Sequence, residues 1–226
     1  MTAQPLWIVI AAYNEATVIA GVIASVRGAG YRVVVVDDGS RDDTANVAES
    51  AGAVVMRHPI NLGQGAALQT GIEYALAEGA ETIVTFDADG QHRISDVAVM
   101  TAALAQHKAD FALGSRFLGD TLNQPLSRRL TLKAATLFTR LTVGINITDT
   151  HNGLRAMTRR GAQSIKLRQN RMAHASEILH QVAQSGLKYI EVPVTIEYSA
   201  YSLAKGQKLS DALTILLDLF ARRLHR

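Results

Sequence analysis

The amino-acid sequence predicts an α/β protein with a mostly parallel central sheet and helices on both of its faces. Three observations point there. Short runs rich in Val and Ile lack polar alternation, as strands buried on both faces require. Segments of helical periodicity separate these runs, so successive strands are joined by crossovers that favour parallel pairing. Each run also stops at a polar cluster, which places five clusters on the carboxyl edge of one sheet, where open α/β sheets collect ligands.

Taken in order, Leu6 to Ala11 reads as a strand and Glu15 to Arg27 as the helix after it. "YRVVVVDD" is a continuous apolar strand, "DDTANVAESAG" a helix closed by Gly52, and "AVVMRH" a third strand. "GQGAALQTGIEYALAEG" is the next helix, "ETIVTFD" the fourth strand, "ISDVAVMTAALAQH" another helix and "DFALGS" the fifth strand. The clusters that end the five strands are "AAYNE", "DDGSRDDT", "HPINLGQG", "DADGQH" and "GSRF".

A chain of 226 residues fits one domain with a substantial core. Its 48% hydrophobic and 19% charged content argues against disorder. With no cysteine, disulfides and thiolate metal sites are excluded, and any metal must sit on oxygen or histidine. The charge is unevenly placed: residues 1–115 carry 6 basic and 13 acidic side chains, whereas 116–226 carry 17 and 7. An acidic half suits a cation; a basic half suits phosphates or an anionic membrane, or is simply a solvated face. No stretch approaches the roughly 18 apolar residues of a membrane span. "LWIVIAA" lacks the basic flank of a signal peptide, so secretion is not expected.

"TFDADGQH" raises the sharpest question, because it reads either as a metal clamp or as a polar turn closing a buried strand. If strand geometry continued through it, Asp87 and Asp89 would share one face, with Gln91 continuing the spacing. Oxygen donors of this kind suit Mg²⁺ or Mn²⁺ that also holds substrate phosphates. An EF-hand loop counted from Asp87 fails, since its sixth and twelfth places are His92 and Ala98. A dinucleotide fingerprint fails as well: "GQGAAL" follows the third strand and lacks the last glycine.

Together "IVIAAYNE", "VVVVDDGSRDDT", "NLGQGAALQTG", "FDADGQH", "GSRF" and "DTHNGLRAM" resemble a family 2 glycosyltransferase of the Rossmann-like GT-A fold, in an order similar to that of the polyprenyl-phosphate sugar synthases. The resemblance implies transfer of a sugar from a nucleotide-sugar to a dolichyl or undecaprenyl phosphate, with inversion and with Mg²⁺ or Mn²⁺ as cofactor. It implies donor binding by Ala11, Tyr13, Glu15, Val36 and Asp38 at the base and ribose, with Ala11 standing where the family often has proline. Asp87, Ala88, Asp89 and Gln91 match its metal and diphosphate segment, with Asp87, Asp89 and Gln91 as metal ligands. Arg116 and Arg155 match basic positions near the donor phosphates or the acceptor. Lys205, four residues after Tyr201, matches a phosphate-contacting lysine, while Ser199 replaces a basic residue common two places before that tyrosine. The catalytic set so implied is Asp89, Arg116 and Arg155, with Glu177 added as a residue that orients the acceptor, supports arginines or forms a surface salt bridge. Asp149 is expected either to place Arg155 or to form a turn.

Reaching a lipid requires a surface for it. In "LSDALTILLDLFARRLHR", Leu209, Leu213, Leu216, Leu217, Phe220 and Leu224 form one helical stripe, and Arg222, Arg223 and Arg226 cluster at its end. Residues 1–206 are therefore expected to be the transferase domain and 207–226 an amphipathic basic helix that meets a membrane or a small membrane subunit. Ser127 to Val143 carries a second stripe of Leu130, Ala134, Leu137, Phe138 and Leu141. It predicts either a membrane-lying helix or one packed on the core. The expected location is peripheral, on the cytoplasmic face of a membrane, with no nucleic-acid partner. Two other readings stay open: transfer to a glycan hydroxyl, which needs a base and gives Glu177 that task, and a noncatalytic nucleotide-sugar-binding subunit.

Overall fold

The computed structural model describes residues 5–168 and 173–205. Its elements run β1 (Leu6–Ala12), α1 (Ile19–Gly28), β2 (Arg32–Asp37), α2 (Thr44–Ser50), β3 (Val54–Arg57), α3 (Gln64–Ala77), β4 (Thr82–Thr85) and α4 (Ile94–His107). They continue as β5 (Phe111–Leu122), α5 (Leu126–Val143), β6 (Arg155–Thr158), α6 (Arg159–Ser164), α7 (Ala173–Gln184), β7 (Tyr189–Glu197) and α8 (Ala200–Lys205). Among the described residues the strands form one sheet in the order β3-β2-β1-β4-β6-β5-β7.

β1 shows why the strands read as unbroken apolar runs. Ile8, Ile10 and Ala12 pack on one face with Ile19, Ile23 and Val26 of α1 and Val97, Met100 and Leu104 of α4. Trp7 and Val9 pack on the other with Leu68, Ile72 and Ala75 of α3 and Ile178, Leu179 and Val182 of α7. Both faces are covered, so neither tolerates a polar residue at alternate positions. α3 approaches closely because Gly71 has no side chain; a Cβ there would lie 2.4 Å from Val9 Cγ1.

Pairing of β1 with β2 and β4, and of β2 with β3, is parallel as expected. β6 is the departure: it runs antiparallel between β4 and β5, with Arg155 in register with both Thr85 and Leu113. "GLRAM" is therefore a return to the sheet, and Arg155 enters it beside the end of β4. β5 runs on past "DFALGS" to Leu122, paired with β7 through a register shift between Ser115 and Asp120. The helix after β1 starts four residues later than Glu15, and β4 stops at Thr85, so strand geometry does not continue through Asp87 and Asp89. The final helical stripe, residues 207–226, lies outside the described residues.

α5 spans the second predicted stripe, with Pro125 at its N-cap, where a fixed φ near −62° suits helix entry. Among its described side chains the buried ones are threonines: Thr136 and Thr139 are 6% and 3% exposed, whereas Leu126, Leu130 and Leu137 are 77%, 70% and 58% exposed. The side chains of Phe138 and Leu141 lie outside what is described.

Candidate functional site

The loops after β1 and β2 are laced together. The Asn14 amide donates to Ser40 Oγ at 2.9 Å, the Glu15 amide to Thr44 Oγ1 at 2.8 Å, and the Ala16 amide to Asp42 Oδ2 at 3.2 Å. In return the Arg41 amide donates to Asn14 Oδ1 at 2.8 Å. Much of "DDGSRDDT" is thus explained by holding "AYNE" in place. Gly39 (φ 71°) is required twice over, since a Cβ there would also lie 2.6 Å from the Ile60 carbonyl carbon.

Of the expected nucleoside-binding residues, Ala11 and Val36 pair across β1 and β2, and the Val36 side chain is fully buried against α3. Tyr13 and Glu15 lie on the loop just beyond. Asp38 is 2% exposed, and its carboxylate accepts from the Leu62 amide at 2.9 Å, the Gly63 amide at 2.7 Å and His58 Nδ1 at 2.8 Å. It braces the turn that starts α3, and His58 in turn reaches Thr70 Oγ1 at 3.0 Å.

The turn after β4 gathers the next set. Thr85 Oγ1 donates to the Gly153 carbonyl at 2.6 Å, drawing "HNGLR" against "TFDAD". Asp87 then lies over Gly153 so closely that a Cβ there would be 2.1 Å from Oδ2. His92, its side chain 2% exposed, places Nε2 2.9 Å from the same Oδ2, while its Nδ1 is buried with no hydrogen-bond partner. That assigns the proton to Nε2, which donates to the carboxylate. Gln64 Nε2 stands 3.4 Å from Asp87 Oδ1. Ala88 is buried in the core, and Asp89 accepts from the Gln91 amide at 3.1 Å. The Gln91 carbonyl accepts from the Glu197 amide at 2.9 Å, and His92 bridges Ile196, so the end of β7 holds the turn.

These contacts place negative charge where water is scarce. Burial, and then the neighbouring Asp87 carboxylate, push the Asp89 carboxyl up to about 6 against the opposing pull of His92. Arg155 is buried beside the pair: burial lowers its pKa, and the charges of Asp87 and Asp149 work in the opposite direction. No three Asp, Glu or His side chains converge on one point among the described residues. Asp87 and Asp89 offer two hard oxygen donors, a set that suits Mg²⁺ or Mn²⁺ sharing its remaining positions with diphosphate oxygens and water.

Arg116 occupies a separate, adjoining network. Its amide and Nε donate to Asp149 Oδ2 at 3.1 and 2.6 Å, one terminal nitrogen donates to Tyr198 Oη at 2.8 Å, and the other to the His151 carbonyl at 2.8 Å. Burial alone would lower its pKa, but Asp149 and Tyr198 outweigh it and hold the guanidinium above its ordinary value. His151 is pushed down, first by burial and then by the two arginines. Asp149 thus pairs with Arg116 rather than with Arg155. Glu177, on α7, accepts from the Arg168 amide at 3.0 and 3.1 Å. Lys205 ends α8, and its side chain lies outside what is described. Tyr201 Oη, on the same helix, donates to Glu15 Oε2 at 2.8 Å, tying α8 to the loop after β1.

The structure therefore brings Glu15, Asp87, Asp89, Gln91 and Arg155 to one edge, with Arg116 beside them. Reading the sequence alone leaves His92, Gly153 and Tyr198 without roles. Gly153 carried a signal in "NGLR", a turn glycine next to Asn, whereas Tyr198 carried none, because its partner lies 82 residues away.

The family model described as glycosyl transferase family 2 matches residues 7–165. The UDP-N-acetylglucosamine–dolichyl-phosphate N-acetylglucosaminyltransferase of Methanococcus voltae is 28% identical, over 99% of this chain and 98% of its own. The polyprenol monophosphomannose synthase of Mycolicibacterium smegmatis is also 28% identical, over 93% and 84%. Among solved structures, glucosyl-3-phosphoglycerate synthase from Mycobacterium tuberculosis in complex with Mn²⁺, UDP-glucose and phosphoglyceric acid shares the fold, with a TM-score of 0.72 at 18% identity over 97% of this chain and 80% of that one.

Proposed function

Because the chain belongs to glycosyl transferase family 2, we propose that it is an inverting transferase that moves a sugar from a nucleotide-sugar to a polyprenyl phosphate, with Mg²⁺ or Mn²⁺ as cofactor. The observation that carries this reading is the half-buried carboxylate pair Asp87 and Asp89, one with its carboxyl raised to about 6, beside the buried guanidinium of Arg155. Such a pair draws in a cation and, with it, a diphosphate.

In this reading Ala11, Tyr13, Glu15, Val36 and Asp38 form the nucleoside side of the site. Val36 contributes only backbone, and Asp38 acts by fixing the 58–63 turn. Asp87, Asp89 and Gln91 face the cation and diphosphate, with Ala88 packed beneath. When bound, the cation neutralises charge developing on the leaving diphosphate. Arg155 adds a fixed positive charge at the same edge. Arg116, whose donors are engaged by Asp149, Tyr198 and His151, positions the 149–151 loop. Lys205 closes on the diphosphate as its place in the resemblance implies.

An acceptor phosphate is already largely ionised at neutral pH, its second pKa being about 6, so the reaction needs no general base. Glu177 is accordingly a residue that holds the backbone of Arg168. The lipid acceptor rests on the two relatives whose names specify dolichyl phosphate and polyprenol monophosphomannose. No helix of the described residues is long and apolar enough to cross a membrane. We place the protein peripherally on the cytoplasmic face, with 1–206 as the transferase domain and 207–226 as a membrane or partner contact.

The test is to supply the full chain with polyprenyl phosphate in vesicles, a panel of nucleotide-sugars and Mn²⁺ or Mg²⁺. A chloroform-soluble glycolipid from one donor is expected, and its loss in Asp89→Asn. Folded protein that forms none across the panel would overturn the reading.

A further inference from the structure

Among the described side chains of α5, Thr136 and Thr139 turn to the body and Leu126, Leu130 and Leu137 to solvent, with Leu132 half-buried. Leu126, Leu130, Lys133 and Leu137 stand at i, i+4, i+7 and i+11 and so share one face. The three leucines are 77%, 70% and 58% exposed, while Thr136 and Thr139 are buried. On the outer half of β5, which leads into α5, Leu118 and Leu122 are also 51% and 43% exposed. A row of leucines this exposed along one helix face signals a contact.

We propose that this face, α5 with the outer end of β5, is the surface by which the protein lies on an anionic lipid bilayer. Charge selects this occupant. α5 carries Arg128, Arg129, Lys133 and Arg140 and no acidic residue, so two copies of it brought face to face would set cation against cation. Anionic headgroups meet Arg129, Lys133 and Arg140, which flank the leucines, with opposite charge, and the long stems of Arg129 and Lys133 let their heads rise to the headgroup level while the leucines enter the acyl region. A cleft of about 280 Å³ lined by Phe117, Lys133, Thr136, Leu137, Arg140 and Thr148 shares Lys133 and Leu137 with this face. Apolar walls with cations at the rim suit an acyl or isoprenoid chain next to its phosphate.

The surface is also tied to the site. The Arg128 guanidinium lies 5.0 Å from the centroid of the Tyr198 ring, whose hydroxyl accepts from Arg116. The bilayer would therefore meet the molecule beside the Arg116–Asp149 network. This deepens the acceptor assignment above without depending on turnover.

The chain's single tryptophan, Trp7, is 4% exposed in the core, which makes Leu130→Trp a specific reporter. The full-length variant is mixed with phosphatidylglycerol–phosphatidylcholine vesicles that hold neither acceptor nor donor, some with brominated acyl chains. Expected are a blue shift, quenching by the brominated lipid and loss of both in pure phosphatidylcholine. Leu126→Ser, Leu130→Ser and Leu137→Ser together should lower vesicle partitioning roughly 1,000-fold, on the order of tenfold per leucine withdrawn from the acyl region, with thermal stability unchanged. The reporter reads α5 itself, whatever residues 207–226 contribute. Vesicle binding without quenching at position 130 would overturn the proposal, as would a triple variant that partitions like the parent. A concentration-dependent blue shift in the absence of vesicles would overturn it in favour of a second copy. Because no acceptor is present, these outcomes are separate from any failure of glycolipid synthesis.

Discussion

Asp89 holds its proton at a pH where an ordinary aspartate has lost it, since burial and the adjacent Asp87 carboxylate raise it to about 6. Between roughly pH 4 and 6 the folded chain then binds more protons at this group than the unfolded chain does. Its contribution to stability is fully present below about 4 and is lost as pH rises through 6. The loss is about 3 kcal/mol, from a shift of about 2 units at 1.36 kcal/mol each. In chelator, urea midpoints of the parent should fall relative to those of Asp89→Asn between pH 4 and 7, and parallel curves would refute this. Under the proposed reading, Mn²⁺ should restore the parent's melting temperature at pH 7 and do little at pH 5, because a metal ligand must be ionised. His92 acts on the neighbouring carboxylate through its 2.9 Å contact to Asp87. His92→Phe should weaken Mn²⁺ binding, read by paramagnetic resonance, several-fold, and His92→Gln, which keeps an N–H donor, should recover part of it. Equal effects of the two substitutions would mean that His92 matters only for packing against Phe86, whose ring centroid lies 5.3 Å from its own.

At the scale of elements, the strands were legible because burial on both faces leaves an unmistakable apolar run, as in "RVVVVD" of β2. The ends were less so. α1 begins late because the amides of residues 14–16 are spent on Ser40, Thr44 and Asp42 of another loop, partners that local periodicity does not register. β6 was hidden for a related reason: four residues, "RAMT", become a strand only because β4 and β5 leave a slot between them. Close approach of α3 to β1 gives a prediction at this scale. Gly71→Ala puts a methyl group 2.4 Å from Val9 Cγ1, which should cost about 1–3 kcal/mol of overpacking against a gain in helix propensity of about 1 kcal/mol. Urea denaturation should show a net loss, with Mn²⁺ binding unchanged, because the clash lies in the core away from the carboxyl edge.

For the whole molecule, the carboxyl edge is assembled from residues spread over most of the chain. Tyr201 Oη donates to Glu15 Oε2 across 186 residues of sequence. Tyr201→Phe removes a bond worth about 1 kcal/mol, which in a chain of this size corresponds to a fall of about 2–4 °C in melting temperature; scanning calorimetry checks it. The amino-acid order by itself determined the layered sheet, the clusters at its strand ends and the membership that "DDGSRDDT" and "DADGQH" announce, because periodicity and turn chemistry act between near neighbours. Only the tertiary structure decided that Arg116 is spent on Asp149, Tyr198 and the His151 carbonyl, that Gly153 is the floor on which Asp87 rests, and that α5 turns Leu126, Leu130 and Leu137 outward. A helical stripe states that one face is apolar, but which way that face points depends on the neighbours that fill the other side.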